Sequence, residues 1–248
     1  MDIELKDKFI TLWRKYFNNA EPPITFYYSD GEGHAVQVDP ESGPRCVVNA
    51  LAGVRDGNSL CLDADSIGCP GGKRYLGFTE NITPNFEYFL SYGIPGSVRG
   101  ERYCKSPELV REMMAQMPLL KAPGRFIIFK RWDGLDKLDN PEVVIFFAEP
   151  DVLSGLFTLA RFDEADRNAV SVPFGSGCST IVQYPYLEKG SNNPKAIIGM
   201  FDPSARPFVP RNVITFSIPM SKFINMVDNM EESFLITDTW RRIQERIS

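Results

Sequence analysis

Two short apolar runs, residues 125–130 and 143–148, constrain the fold of this 248-residue chain more than any other feature. Their sequences, RFIIFK and VVIFFA, are rich in the β-branched and aromatic residues that favour strands. A strand that is apolar on both faces is typical of the centre of a covered sheet. The two runs therefore predict an α/β fold with a mixed central sheet flanked by helices, and an α+β arrangement is the alternative.

A helix, a short strand and a Gly-Cys pair follow one another twice along the chain. The first set is residues 46–54, residues 59–62 and Gly68-Cys69, and the second is residues 152–159, residues 169–172 and Gly177-Cys178. A duplication would produce two pseudo-symmetric halves that share one sheet. Coincidence among common helix–strand units is the other interpretation, and the sequence leaves both open.

The length permits either a single domain, residues 1–248, or two smaller ones, and the charge of the chain excludes some partners. A chain of this length buries roughly three quarters of its unfolded surface, and 43% of its residues are hydrophobic. The net charge is −5 and the cations are interleaved with acids, so no basic stripe suits nucleic acid. No export signal opens the sequence, and no apolar run approaches the ~20 residues of a membrane span. We therefore expect a cytoplasmic protein that binds neither nucleic acid nor membrane.

The five cysteines provide the most interesting chemistry in the sequence. Cys69 and Cys178 each follow a glycine at a predicted helix start, where free N–H groups and the helix dipole lower the pKa of a thiol. Cys46 is a third candidate, whereas Cys61 and Cys104 are expected to be structural. A small buried cysteine beside a tight turn is the competing interpretation for each candidate. No pair has the spacing of a zinc knuckle or a redox dithiol.

Glycines and cations close to these cysteines are candidate ligand-binding residues. They are Gly71, Gly72, Lys73 and Arg74 after Cys69, Ser179 after Cys178, and the more distant Arg206. Helix N-termini and cations together favour a small anionic ligand, although no nucleotide-binding motif is complete. Alternatively, Arg206 pairs with Asp202 and the other charges are solvated. The single histidine, His34, lies in a glycine-rich turn and is not predicted to be catalytic.

Residues 79–117 are the least regular part of the chain. Residues 79–105 mix proline, glycine and aromatic residues without a period, which predicts an ordered excursion. Exposed aromatic residues there would indicate a lid or a contact between subunits of a homo-oligomer. Ser106-Pro107 then starts a helix whose apolar face, Leu109, Met113, Met114 and Met117, is interpreted as core.

Several short motifs occur along the chain from about residue 20 to its end. They are Arg45-Cys46, residues 68–72 with residues 75–78, the helix start at Ser106, residues 143–150, residues 175–178 with residues 184–186, and residues 201–206. Their order and spacing resemble domain-of-unknown-function family 169, an uncharacterised bacterial and archaeal family. The resemblance implies one domain and directs attention to Cys46, Cys69 and Cys178, without an established activity. Some relatives carry cysteines near the position of Phe201-Asp202, where this chain has none, which argues against a cluster held by four thiolates.

Three functions follow from these residues, in order of preference. The first is a small-molecule or cofactor-binding protein with a cleft near Cys69 and Cys178, acting in redox or metal-dependent metabolism. The second is an iron–sulfur or soft-metal protein that uses Cys46, Cys69 and Cys178, because three thiolates can hold a cluster or a soft metal. The third is a non-catalytic partner subunit in which the cysteines are only packed.

The position of the two strongest strands predicts a single cooperative unit. Because residues 125–130 and 143–148 lie between the two repeated sets, they are expected to join the halves in one sheet. Cutting the chain near residue 140 should leave neither fragment folded, and circular dichroism during heating measures this. The uncut chain, with one transition, is the control. Two fragments with independent, reversible transitions would contradict the shared sheet.

Overall fold

The computed structural model describes residues 1–38 and 46–247, which form one eight-stranded mixed sheet. The strands are β1 (Ile24–Ser29), β2 (Val36–Gln37), β3 (Leu60–Leu62), β4 (Phe126–Arg131), β5 (Val143–Ala148), β6 (Val170–Ser171), β7 (Ala196–Gly199) and β8 (Ile214–Pro219). The two doubly apolar runs are β4 and β5, and each has a strand on both sides, as predicted. Arg45, part of the family resemblance, lies outside the described residues.

Helices connect and cover these strands. They are α1 (Ile3–Phe17), α2 (Val47–Arg55), α3 (Pro70–Tyr75), α4 (Phe86–Phe89), α5 (Pro107–Gln116), α6 (Pro150–Leu159), α7 (Tyr184–Glu188), α8 (Met220–Asn229) and α9 (Asp238–Gln244). A π-helical turn, Ser179–Gln183, leads directly into α7. Polar side chains cap several helix starts, as at Ser106, whose Oγ accepts a hydrogen bond from the Leu109 N–H. None of the helices in the described part of the chain has both the length and the apolar character that a membrane crossing requires.

The sheet has an internal symmetry. Its strand order is β2-β3-β4-β1-β5-β8-β7-β6. From the central β1–β5 pair outwards, each half therefore places its first, fourth, third and second strand in that order. In each half the outer two strands are parallel and the other pairs are antiparallel. The chain thus consists of two pseudo-symmetric halves that share one sheet.

The repeated sequence pattern nevertheless predicted the wrong correspondence between the elements of the two halves. Sequence order equated residues 46–54 with 152–159 and residues 59–62 with 169–172. The topology instead makes β7 the counterpart of β3, and the helical segment 179–188 the counterpart of α2. The reason is that α2 and α6 cover opposite faces of the sheet and belong to different cores. Cys178 therefore corresponds to Cys46, because each lies immediately before the helix between the second and third strands.

Two large cores lie on the two faces of the sheet, and Tyr27, Cys61, Phe126 and Ile128 form a third, smaller cluster. One face is covered by α1, α6, α8 and α9, and the other by α2, α3 and the segment 179–188. The central strand β5 serves both: Val144 and Phe146 enter the first core, whereas Val143 and Ile145 enter the second. β5 contributes to both cores because successive side chains of a strand point to opposite faces of the sheet, and both faces are covered here.

Two helical glycines provide a matched test of the packing. A methyl group on Gly155 in α6 would lie 2.8 Å from Phe17 Cε1 and closer still to the Trp240 ring, whereas on Gly53 in α2 it would lie 3.5 Å from Asn58 Nδ2. We expect Gly155→Ala to destabilise the protein, because overpacking costs about 1–3 kcal/mol. The control Gly53→Ala should stabilise it by up to about 1 kcal/mol through helix propensity. Urea unfolding measures both changes, and stabilisation by Gly155→Ala would contradict the packing of α6 against α9.

Candidate functional site

A cavity of about 650 Å³ opens beside the start of α3. Four segments line it: α3 with the residue before it, residues 83–117, the loop 174–176 and the turn after β7. Residues 83–117 contain most of the irregular segment expected from the sequence together with α5, and they are called the excursion from here on. The excursion belongs to the first half of the chain, whereas the loop and the turn belong to the second. The cavity is therefore assembled from both halves.

The structure brings the two Gly-Cys turns together at this cavity. Cys69 and Gly71 line it directly. The other turn contributes Gly175 and Ser176, while Cys178 itself is buried behind them, with an exposed fraction of 8%. Cys69, the N-cap of α3, accepts a hydrogen bond at Sγ from the Gly72 N–H at 3.4 Å. Of the two thiols, only that of Cys69 belongs to a residue that lines the cavity.

Gly72 lets α3 approach α2. A methyl group on Gly72 would lie 3.0 Å from Val47 Cγ2 and 3.1 Å from Ile67 Cγ2. These distances are tighter than ordinary contacts, so a larger residue would push the start of α3 away from the core. Gly72 is buried, and we assign it a packing role that positions Cys69 at the cavity.

Burial determines the chemistry of Cys178. Its pKa is raised well above the ordinary thiol value, first by burial and then by the neighbouring Cys46, Cys69 and Asp202. A hydrogen bond from the backbone N–H of Val48, at the start of α2, lowers the pKa of Cys178. This contribution is too small to offset the effects that raise it. The expectation of a lowered pKa at Cys178 is therefore wrong, because loss of hydration outweighs the helix-terminal N–H groups.

The predicted cations do not line the cavity. Lys73 is half-buried in α3. Arg74 is buried, and its Nη1 donates to the carbonyl of Glu80 at 2.5 Å. Arg206 donates through Nη1 to the Val213 carbonyl at 2.6 Å and through Nη2 to the carbonyls of Pro210 and Arg211. It thus braces the loop before β8, and the alternative of an Asp202–Arg206 side-chain pair is replaced by these contacts.

A hydrogen-bonded turn supports the polar part of the cavity wall. Asp202 Oδ2 accepts from the Gly177 N–H at 3.2 Å, and Oδ1 accepts from the Ser204 N–H at 2.9 Å and from its hydroxyl at 2.8 Å. Ser179 lies beneath the cavity: its N–H donates to Ser176 Oγ at 3.1 Å, and its hydroxyl donates to the Ser176 carbonyl at 2.9 Å. These bonds hold the loop 174–176 and the turn after β7 together.

The sequence pattern did not predict the apolar walls. Met113 and Met117 are half-buried and line the cavity; Met117 also packs against the core that contains α2, so the interpretation as core holds for Met117 in part, whereas it is wrong for exposed Leu109. Phe86 and Phe89, on α4, add aromatic rings from the excursion. A signal was available, because an aromatic-rich segment without a period, followed by a methionine-rich helix, is typical of an adaptable apolar surface.

The remaining candidates lie elsewhere or lack support. Cys61 is buried in β3, where burial raises its pKa to about 11. Cys104 is half-buried in a loop, and His34 is exposed in its turn. Within residues 1–38 and 46–247, no three His, Cys, Asp or Glu side chains form a group suited to a metal ion. The geometry of Cys46, Cys69 and Cys178 thus lends no support to the metal-binding alternative.

Thiol labelling distinguishes Cys69 from Cys178. A brief iodoacetamide pulse at neutral pH should modify Cys178 more than about tenfold more slowly than Cys69, because each unit of raised pKa lowers the thiolate fraction about tenfold. Mass spectrometry of the digested protein measures both rates, and Cys69→Ser confirms the assignment. The control is the urea-unfolded chain, in which both cysteines should react alike. Equal rates in the folded protein would contradict the burial of Cys178.

Comparison with known proteins identifies a family but no activity. The model of the DUF169 family, described as an uncharacterised ArCR family, matches residues 14–229 of the chain. No curated protein and no solved structure matches. The match spans β1 to β8, and therefore both halves of the sheet and every residue of the cavity wall. The chain belongs to the DUF169 family.

Proposed function

We propose that the protein binds a small molecule with a largely apolar body in the cavity beside α3. The observation that carries the proposal is the composition of the cavity wall. Residues 83–117 supply more than half of the lining residues, among them the rings of Phe86, Phe89 and Tyr103 and the methionines Met113 and Met117, and polar side chains are interspersed in the wall. A volume of about 650 Å³ lies within the range of roughly 300–1,000 Å³ typical of ligand pockets, which have walls of this kind.

Four of the polar side chains in the wall have a distinct origin in the fold. Cys69, Ser176, Asp202 and Ser204 come from the start of α3, the loop 174–176 and the turn after β7. The hydrogen bonds of Asp202 to Gly177 and Ser204 tie two of these segments together, and Cys69 is fixed as the N-cap of α3. A hydrogen-bonded polar edge combined with a largely apolar excursion favours a ligand whose polar group is fixed and whose body is enclosed.

The redox metabolism expected from the sequence would depend on Cys69. This residue is half-buried and lines the cavity, so a bound ligand would lie close to its soft sulfur atom. Cys178 does not share this position, because it is buried and its pKa is raised by burial. Thiol chemistry on a ligand is therefore assigned to Cys69.

Adjacent methionines provide a direct test of the cavity. Met113 and Met114 are both half-buried on α5, but only Met113 lines the cavity. Nile red, a neutral dye whose fluorescence rises in apolar surroundings, should bind the unmodified protein. We expect Met113→Asp to weaken this binding at least about tenfold, since an unpaired charge in an apolar wall costs well over 1.4 kcal/mol.

Met114→Asp is the matched control and should retain the affinity for Nile red. Circular dichroism of both variants establishes that α5 remains folded. Equal affinities of the two variants would contradict binding at this cavity. An unmodified protein that binds no dye would favour the third function, a non-catalytic partner subunit.

A further inference from the structure

The cavity wall contains two charged side chains among the described residues, and they differ in position. Arg99 is exposed, whereas Asp202 has an exposed fraction of 7%. Water screens a charge such as that of Arg99, but a buried charge keeps its field. Of the two charged residues that line the described cavity wall, Asp202 is therefore the one whose field water screens less.

The hydrogen bonds of Asp202 leave its charge unbalanced. Both oxygens accept bonds, from the Gly177 N–H and from the N–H and hydroxyl of Ser204. Accepting without donating is the pattern of an ionised carboxylate. In the described part of the chain, Asp202 forms no ion pair with lysine or arginine. A buried carboxylate without a cation is costly, and a cationic ligand would offset that cost.

Asp202 acts on the aromatic groups around it. After burial, it is the next contribution that raises the pKa of Tyr103; at Tyr75 burial raises the pKa, Arg74 lowers it, and Asp202 is a smaller contribution that raises it. Tyr103 and Phe174 pack edge to face, with ring centroids 6.3 Å apart and planes at 83°. All three rings belong to residues that line the cavity. Ring faces attract cations, most strongly where water is excluded.

An aspartate after the third strand of the first half separates the structural role of Asp202 from a binding role. Asp63 comes directly after β3, Asp202 comes three residues after the end of β7, and both have an exposed fraction of 7%. It too accepts hydrogen bonds within its turn, from the N–H groups of Asp65 and Ser66. Asp63 does not line the cavity, whereas Asp202 does. In each half, an aspartate after the third strand stabilises a turn. The aspartate of the second half, Asp202, also lines the cavity.

We infer that the ligand is a cation, an amine or quaternary ammonium on an apolar body, whose positive group lies at Asp202 among the rings of Tyr75 and Tyr103. The inference rests on the proposed function and specifies its ligand class. It replaces the anion expected from the sequence, because the cations that would bind one, Lys73, Arg74 and Arg206, do not line the cavity. Apolar enclosure supplies affinity for the body, and the buried carboxylate selects the sign of the charge.

Three probes of similar shape test the charge preference: naphthylethylamine, naphthylethanol and naphthylacetate, which are cationic, neutral and anionic at neutral pH. Isothermal titration calorimetry measures their affinities for the unmodified chain. We expect the amine to bind at least about tenfold more tightly than the alcohol, which corresponds to about 1.4 kcal/mol, and the acetate to bind most weakly. This ranking needs no variant.

Asp202→Asn should abolish the preference for the amine while the alcohol still binds. Asp63→Asn, which removes the corresponding buried carboxylate outside the cavity, should retain the preference and serves as the matched control. If Asp202→Asn fails to fold, the order of the three probe affinities in the unmodified protein tests the charge preference alone. Binding of the alcohol or the acetate as tightly as the amine would overturn the inference and leave the proposed function standing. Failure of all three probes and of Nile red to bind would overturn both.

Discussion

The antiparallel pairing of β1 with β5 is the joint on which the rest of the molecule depends. It sets Phe26 opposite Val143 and Ile24 opposite Ile145, and on either side of it the two halves repeat the same strand order. Because β5 is apolar on both faces, its residues enter both cores at once. The same joint places α2 and its counterpart 179–188 on one face of the sheet. Cys46 and Cys178, which precede these helices, are thereby brought close enough for Cys46 to contribute to the pKa of Cys178.

The candidate site arises where the symmetry is broken. Between its third and fourth strands, the first half carries residues 63–125, whereas the second half carries only residues 200–213. The long connection includes α3, α4 and α5 and supplies the apolar walls, while the short one supplies Asp202 and Ser204. A shared sheet holds the two connections at fixed positions, so that residues 83–117 and the turn after β7 line one cavity. Ligand sites commonly combine a rigid scaffold with irregular connections in this way.

Hydrogen bonding distinguishes the two buried acidic groups near this edge. Cys178 remains a thiol because its pKa is raised when water is removed, and a neutral thiol is tolerated in a core. Asp202 is equally enclosed, but it accepts three hydrogen bonds from neutral donors. Such donors stabilise a carboxylate without neutralising it, which makes the cavity attractive to cations. The sequence pattern around the cysteines indicated the part of the fold that contains the cavity, but the buried charge in the cavity wall belongs to Asp202.

The sequence by itself determined the features that depend on local periodicity: the doubly apolar strands β4 and β5, the capped helix start at Ser106, the α/β class and the family membership. Only the tertiary structure decided which elements correspond, because α2 and α6 have similar sequence patterns but cover opposite faces of the sheet. It also decided that Met113 lines the cavity whereas its neighbour Met114 does not, and that Arg206 turns to backbone carbonyls instead of to Asp202. Spacing along a chain specifies which side chains share a face of one element. Which other segment that face meets depends on contacts between residues far apart in sequence, and a local pattern carries no record of them.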